Sequence, residues 1–255
     1  MNHFEKFLSA MKQSTISMSD KGLPQEFLLS SEGDLSVYYA PFDYINHQAK
    51  ITICGITPGF QQAALALNEA KKQLLKGASI DEAKKKAKET ASFGGAMRNN
   101  LISMLDYIGA HKKLGLVSCE QLFTSHTHLV HYTSALRYPV FVGGENYNGT
   151  PNMISNKLLR AQVETYLTEE LKSLPESCLY IPLGPKVTEA FSHLVAKGVV
   201  KSNKVLDGMP HPSGANAERI NYFLEKKKKD DLSKKTNPLQ IDEAKAKLLE
   251  KMALA

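Results

Sequence analysis

Ile51-Thr52-Ile53-Cys54 is a short apolar run rich in β-branched residues, and Gly55-Ile56-Thr57-Pro58-Gly59 follows it without a break. Such side chains suit a buried, pleated strand, whereas clustered Gly and Pro cannot continue one. The pair therefore reads as a strand ending in a tight turn. In open α/β sheets ligands sit beyond the carboxyl ends of the strands, so residues 55 to 59 mark the edge where a site is expected.

The rest of the chain alternates strand-like and helix-like segments around this unit. Glu26 to Ala40 has two strand-like pieces about the turn composition Ser31-Glu32-Gly33-Asp34, which predicts a hairpin. Gln61 to Thr90 is rich in Ala, Leu, Lys and Glu with Gly77 in its middle, and Ser79-Ile80-Asp81-Glu82 has the form of a capping box, so a helical hairpin is expected. Its lysines 71, 72, 76, 84, 85, 86 and 88 read either as a track for a DNA backbone or as solvated helix faces. Phe93 to Ile108 predicts a glycine turn and a helix, and Leu129 to Val142 a strand with its outgoing loop. Lys157 to Leu174 has helical spacing, Ser177 to Leu183 reads as a strand, Lys186 to Lys197 as a helix, and Val199 to Leu206 leads to a last short strand. The alternation predicts an α/β fold, a three-layer α/β/α sandwich with a mostly parallel central sheet.

With 255 residues and 42% hydrophobic content, one globular domain is expected over residues 1 to 225, carrying a helical insertion at 61 to 92. Residues 226 to 255 read as a basic linker and a final amphipathic helix. The formal net charge is +6, but residues 221 to 255 hold nine lysines against six acids, so half of the excess lies in the tail. That permits nucleic-acid binding without arguing for it. Cys54, Cys119 and Cys178 are far apart and read as buried free thiols, too few for a four-cysteine iron-sulfur cluster. No apolar run approaches the roughly 18 to 20 residues that span a bilayer. Met1 to Gln13 mixes both charge signs, unlike a signal peptide, and a soluble cytoplasmic protein is expected.

Further segments then fall into a recognisable order. Phe93-Gly94-Gly95-Ala96-Met97-Arg98, His131-Tyr132-Thr133-Ser134-Ala135-Leu136-Arg137, Leu179-Tyr180-Ile181-Pro182-Leu183-Gly184-Pro185-Lys186-Val187 and Met209-Pro210-His211-Pro212-Ser213-Gly214 follow the first turn. Over roughly Tyr38 to Tyr222 the ordered set resembles the uracil-DNA glycosylase superfamily. The resemblance implies a monofunctional glycosylase that flips a base out of DNA and hydrolyses its N-glycosidic bond, working as a monomer, without a metal or organic cofactor and without a membrane.

The resemblance also implies roles. His211 would hydrogen-bond the negative charge growing on the departing base. Gly55, Ile56, Pro58, Gly59 and Phe60 would line the base, Phe93 would stack on it, and Ser134 would read its edge. Phe93 also reads as simple core packing. Arg98, Gly184, Lys186, Pro212, Ser213, Gly214 and Arg219 would contact the DNA backbone, glycines allowing main chain close to phosphates. Ser213 equally reads as a helix N-cap.

Two positions depart from the family pattern. Thr57 stands where Asn, Asp or Glu usually serves the attacking water, so Asp43, Glu145, Asn146 and Asn148 become candidates, the last three in what is otherwise a solvated loop. Ser134 replaces a longer Asn that reads uracil. Two shortened side chains point to a base larger than uracil, such as a bulky 5-substituted cytosine of phage DNA, and so to a resemblance to anti-phage glycosylases. The alternatives are a DNA-binding module that has lost its chemistry, and an unrelated α/β enzyme whose first turn binds a small phosphate ligand.

Overall fold

The computed structural model describes residues 3–254. Met1 and Asn2 of the amphipathic N-terminal segment lie outside them. In chain order the helices are α1 (His3–Lys6), α2 (Leu8–Gln13), α3 (Phe60–Leu75), α4 (Ile80–Ala91), α5 (Ala96–Tyr107), α6 (Ala110–Leu114), α7 (Lys157–Gln162), α8 (Thr168–Ser173), α9 (Pro185–Ala196), α10 (Ala217–Phe223) and α11 (Pro238–Leu254). The strands are β1 (Leu28–Glu32), β2 (Leu35–Tyr38), β3 (Ile51–Gly55), β4 (Val130–Ser134), β5 (Val140–Val142), β6 (Glu145–Asn146) and β7 (Leu179–Pro182). The protein is mixed α/β. Its chain divides into two compact units.

The first unit takes the chain up to Ile45, then Ile56–Ser92 and Tyr132–Glu170. It holds an antiparallel sheet in the order β1-β2-β5-β6. Alternation along β2 buries Leu35 and Val37, and Gly33 at φ +57° turns the β1-β2 hairpin. Helices α3 and α4 bury Ala63, Ala64, Ala66 and Ala70 on one and Ala83, Ala87 and Ala91 on the other. Small residues let the two backbones approach closely, and the Ser79 hydroxyl caps α4 by accepting from the Glu82 N–H at 3.2 Å. Two of the lysines here are not on a solvated face. Lys84 is 8% exposed, with its ammonium 5.4 Å from the Phe4 ring centre, and Lys88 is 3% exposed.

Lys88 belongs to a buried ionic network. Its ammonium donates to the Tyr44 carbonyl at 2.7 Å and lies 3.6 Å from the fully buried Glu170 carboxylate. Arg137 donates to the same carboxylate, to Glu169 at 3.3 Å and to the Tyr166 carbonyl at 2.8 Å, within the π-helical turn Val163–Leu167 that joins α7 to α8. Burial pushes the Lys88 ammonium down from its ordinary 10.5 to about 8, against the opposing pull of Glu170. Because the unfolded chain then binds the extra proton between about pH 8 and 10.5, the contribution of Lys88 to stability rises with pH through that window and is constant below it. The thiols of Cys119 and Cys178 and the phenols of Tyr39 and Tyr138, all raised by burial, act in the opposite sense once their unfolded-state counterparts ionise, near 9.0 and 10.0. Relative to Lys88→Met, which lacks the titrating ammonium, the urea midpoint of the wild type is expected to gain between pH 8 and about 10; a difference that stays flat or falls across that range would contradict the assignment.

The second unit comprises Asn46–Gly55, Phe93–His131 and the chain from Leu171 onward. Here β3 and β7 pair in parallel in the register Ile51↔Leu179 to Cys54↔Pro182, within the sheet β4-β3-β7, of whose first strand Val130 and His131 fall in this unit. Every residue of β3 is buried, as its composition predicts. The Asn46 amide, buried beside it, donates to the carbonyls of His128 (2.9 Å) and Val130 (2.7 Å). Cys54, Cys119 and Cys178 are buried free thiols, as expected.

Three expectations need amendment. The parallel arrangement holds for the β4-β3-β7 sheet, whereas β1, β2, β5 and β6 are antiparallel. Leu129 to Val142, expected as a strand with its outgoing loop, gives β4 and then, within the expected loop, a second strand β5; residues 135 to 139 separate them, where Pro139 has no N–H for a ladder and Arg137 and Tyr138 bond to Glu170 and Asp43. The strand expected after Val199 is reduced to two isolated parallel bridges, Tyr180↔Val205 and Leu183↔Met209.

The tail is an integral part of the second unit. Helix α11 buries Leu248 and Met252, and Lys251 donates to the Val205 carbonyl at 3.0 Å and to Asp207. Gly208, at φ +114°, lies so close to α11 that a Cβ there would meet the Ala244 carbonyl oxygen at 2.5 Å. No helix among the described residues is long and apolar enough to cross a membrane.

Candidate functional site

In the second unit the His211 segment is built from four sides. Leu183 pairs with Met209, and the Gly184 N–H donates to the Met209 carbonyl at 3.0 Å. Gly184 sits at φ +86°, and a Cβ added there would lie 3.2 Å from His211 Cβ, so glycine is required on two grounds. Asn100 of α5 donates its amide to the Pro212 carbonyl at 2.9 Å. The Ser213 N–H donates to His211 Nδ1 at 3.3 Å.

The bond from Ser213 decides the chemistry of the ring. A backbone N–H can only donate, so Nδ1 accepts and the neutral imidazole carries its proton on Nε2. Burial holds the His211 pKa below its ordinary 6.5, so the neutral form prevails at pH 7. The result is a fixed, uncharged N–H donor beyond the carboxyl end of β7.

The neighbours of His211 have mixed fates. The Ser213 hydroxyl does not cap the following 3-10 turn; it accepts from the Asn216 amide at 3.1 Å, and Asn216 in turn accepts from Arg219 at 2.8 Å. Pro212 is buried, whereas Gly214 is exposed, with no atom within 4 Å of a Cβ built on it. Lys186 and Arg219 are exposed. Arg98 is engaged within its own unit: its Nε donates to the Phe93 carbonyl at 3.3 Å and its guanidinium lies 4.9 Å from the Phe123 ring centre. Phe93 takes φ +49°, uncommon for an aromatic residue, and is only 6% exposed. Of its two readings, core packing is the one realised; a base could stack only on an uncovered ring. Gly55 is the buried last residue of β3.

In the first unit Thr57 and Asp43 both bond to the segment Tyr138–Val140. The Ile56 carbonyl accepts from the Leu136 N–H at 2.9 Å. The Thr57 hydroxyl donates to the Tyr138 carbonyl at 3.1 Å and accepts from the Val140 N–H at 3.2 Å. Its single proton is thereby committed to the backbone, and Thr57 fastens the turn instead of orienting a water through that proton. Asp43 accepts from the hydroxyls of Tyr39 (2.8 Å) and Tyr138, one on each oxygen. Burial first, and the Asp43 charge second, push both phenols upward, so they stay protonated and hold the carboxylate in place.

Gly59 and Phe60, expected against a base or a phosphate, stand at a start of α3 that the protein itself already caps. The Gly59 N–H donates to Gln62 Oε1 at 3.0 Å and the Phe60 N–H to Asn146 Oδ1 at 2.8 Å. A Cβ on Gly59 would lie 3.2 Å from that same Asn146 oxygen, which gives the glycine a structural reason. Pro58 is buried, Ser134 ends β4 half-buried, and Glu145 and Asn148 are exposed.

Sequence reasoning misses Asn100, Tyr39, Tyr138 and Gln62. Tyr138 carries a signal in its neighbours: an Arg-Tyr-Pro sequence beside a β-rich run places two polar ends where only buried partners can satisfy them. Asn100 carries none, being one of two consecutive asparagines in a helical stretch.

The mixed α/β fold is accompanied by a clear relationship in sequence. The chain is 36% identical over 216 residues to the uncharacterized protein YoxB of Bacillus subtilis (strain 168), covering 84% of each protein. It belongs to the YoxB family. It matches no family profile. No solved structure matches it.

Proposed function

We propose that the protein is a DNA glycosylase of the uracil-DNA glycosylase type, with a three-layer α/β/α fold, acting on a bulky modified pyrimidine. The observation that carries the reading is His211, whose tautomer is set by the Ser213 N–H so that Nε2–H is a neutral donor. Cleavage of the C1′–N bond sends its electron pair to the base and leaves a sugar with oxocarbenium character. A neutral donor stabilises the charge growing on the base without having to give up its proton in the resting state. Water then adds to C1′ and loses a proton. Thr57 has its own proton committed elsewhere, so Asp43, held by two phenols, and the exposed Glu145 are the carboxylates proposed for the water. Lys186 and Arg219, both exposed, are the proposed phosphate contacts.

The bulky substrate follows from Ser134. A buried edge of uracil left unpaired costs about 1 to 3 kcal/mol per polar group, and serine satisfies less of that edge than an amide. Single-turnover rates on matched duplexes test this: a bulky 5-substituted cytosine is expected to be released faster than uracil, and faster release of uracil than of every such cytosine would overturn it. The committed hydroxyl of Thr57 favours one rival, a module that grips DNA without cutting it. Binding with no release of any base would establish that rival.

A further inference from the structure

We propose that the turn 226–236 is a second DNA-backbone contact surface, built by Glu218 from two separate lysine runs and Arg219. The inference takes DNA as partner from the proposed function and extends the backbone contact from Arg219, which bonds to Asn216 next to the His211 segment, into the lysine turn. Glu218 of α10 accepts from Lys227 Nζ at 2.8 Å, from the Ser233 N–H at 3.1 Å and hydroxyl at 2.7 Å, and from the buried Thr236 hydroxyl. These donors hold its carboxyl well below the ordinary range, so the staple persists at any physiological pH.

One carboxylate thus gathers both ends of the turn. Lys226, Lys228 and Lys229 flank its partner Lys227 in the chain, and Lys234 and Lys235 lie between its partners Ser233 and Thr236. Arg219 joins the second group, donating to the Lys235 carbonyl at 3.4 Å. All six of these cations are exposed, whereas Lys227 is the one neutralised by Glu218. Asp230 and Asp231, in the 3-10 turn between the runs, are the acids of the segment, so the charge is strongly positive on a fixed backbone.

A linear polyanion matches this arrangement better than a membrane does. Duplex DNA presents about one negative charge per 1.7 Å of axis, and long lysines reach its phosphates without reading sequence. Basic surfaces that dock on lipid add exposed apolar residues that insert; the apolar side chain of the turn itself, Leu232, is half-buried, and the exposed Leu239 lies beyond it in α11.

The test uses the full-length protein, since removing the tail would also remove α11 and its buried Leu248 and Met252. Affinity for an unmodified DNA duplex is measured by fluorescence anisotropy over a series of salt concentrations. Lys228→Gln/Lys229→Gln and Lys234→Gln/Lys235→Gln are each expected to flatten the slope of log K against log salt by about 0.9 for every phosphate no longer neutralised, hence by about 1 to 2. Lys112→Gln/Lys113→Gln, which removes equal charge from exposed positions of α6, should leave it unchanged. Unaltered slopes in the tail variants, an equal effect in the α6 control, absence of duplex binding by the wild type, or tighter binding to phosphatidylserine vesicles than to the duplex would each overturn the surface. Base release is followed in the same variants at saturating protein. Flattened slopes with no release from any DNA would sustain the surface and defeat the glycosylase reading, and the converse result would do the opposite.

Discussion

Glu170→Ala is expected to destabilise the protein by about 3 to 5 kcal/mol, enough to consume much of a typical total stability of roughly 5 to 15 kcal/mol. The carboxylate is fully buried and faces two cations, Arg137 and Lys88, that are themselves almost fully buried. Deleting it leaves like charges close together in a region of low dielectric. Arg137 keeps Glu169 and the Tyr166 carbonyl, and Lys88 keeps the Tyr44 carbonyl, but none of these replaces the missing charge compensation. Part of the loss should be avoided by deprotonation of Lys88, whose ammonium is already held near pKa 8. The destabilisation of Glu170→Ala should therefore be smaller at pH 9 than at pH 7. Urea unfolding at the two pH values measures it, and a loss under about 1 kcal/mol at pH 7 would mean that the network is not compensating charge as described.

His211→Ala should lower the rate of base release by about two to three orders of magnitude while leaving DNA affinity within severalfold. The donor strengthens its bond as charge develops on the base, so its loss falls on the chemical step. The neutral state of the ring adds a pH signature. Because burial lowers the His211 pKa from its ordinary 6.5, a change of rate caused by protonation of Nδ1, which breaks its bond from the Ser213 N–H, should fall at a lower pH than for an ordinary imidazole. Equal losses in rate and affinity would assign His211 to binding. Single-turnover kinetics with an excess of protein separate the two.

The elements legible in the sequence are those whose composition settles their environment locally. Ile51 to Cys54 could only be a buried strand, and the Ala-rich stretch with Ser79 at its cap could only be a helical pair. What stays hidden depends on partners distant in sequence. Lys84 and Lys88 read as surface charges until Phe4, Glu170 and the Tyr44 carbonyl supply their surroundings. Gly59 fits a phosphate-binding turn equally well on sequence, and only the arrival of Asn146, 87 positions on, gives it a different neighbour. Thr57 is similar, because a hydroxyl that could orient water is indistinguishable from one bonded to Tyr138 and Val140. The candidacy of His211 is readable from its Pro and Gly setting. Its tautomer is not, since that depends on the geometry of the Ser213 N–H.

The most direct test incubates excess full-length protein with duplex DNA carrying a bulky 5-substituted cytosine, in the presence of a chelator, and counts free base by mass spectrometry against abasic sites. A monofunctional glycosylase gives one abasic site for each free base, no strand break before alkali, and no loss of rate to the chelator. Tight binding with intact nucleotides, or base release that requires added metal, would contradict the proposed chemistry.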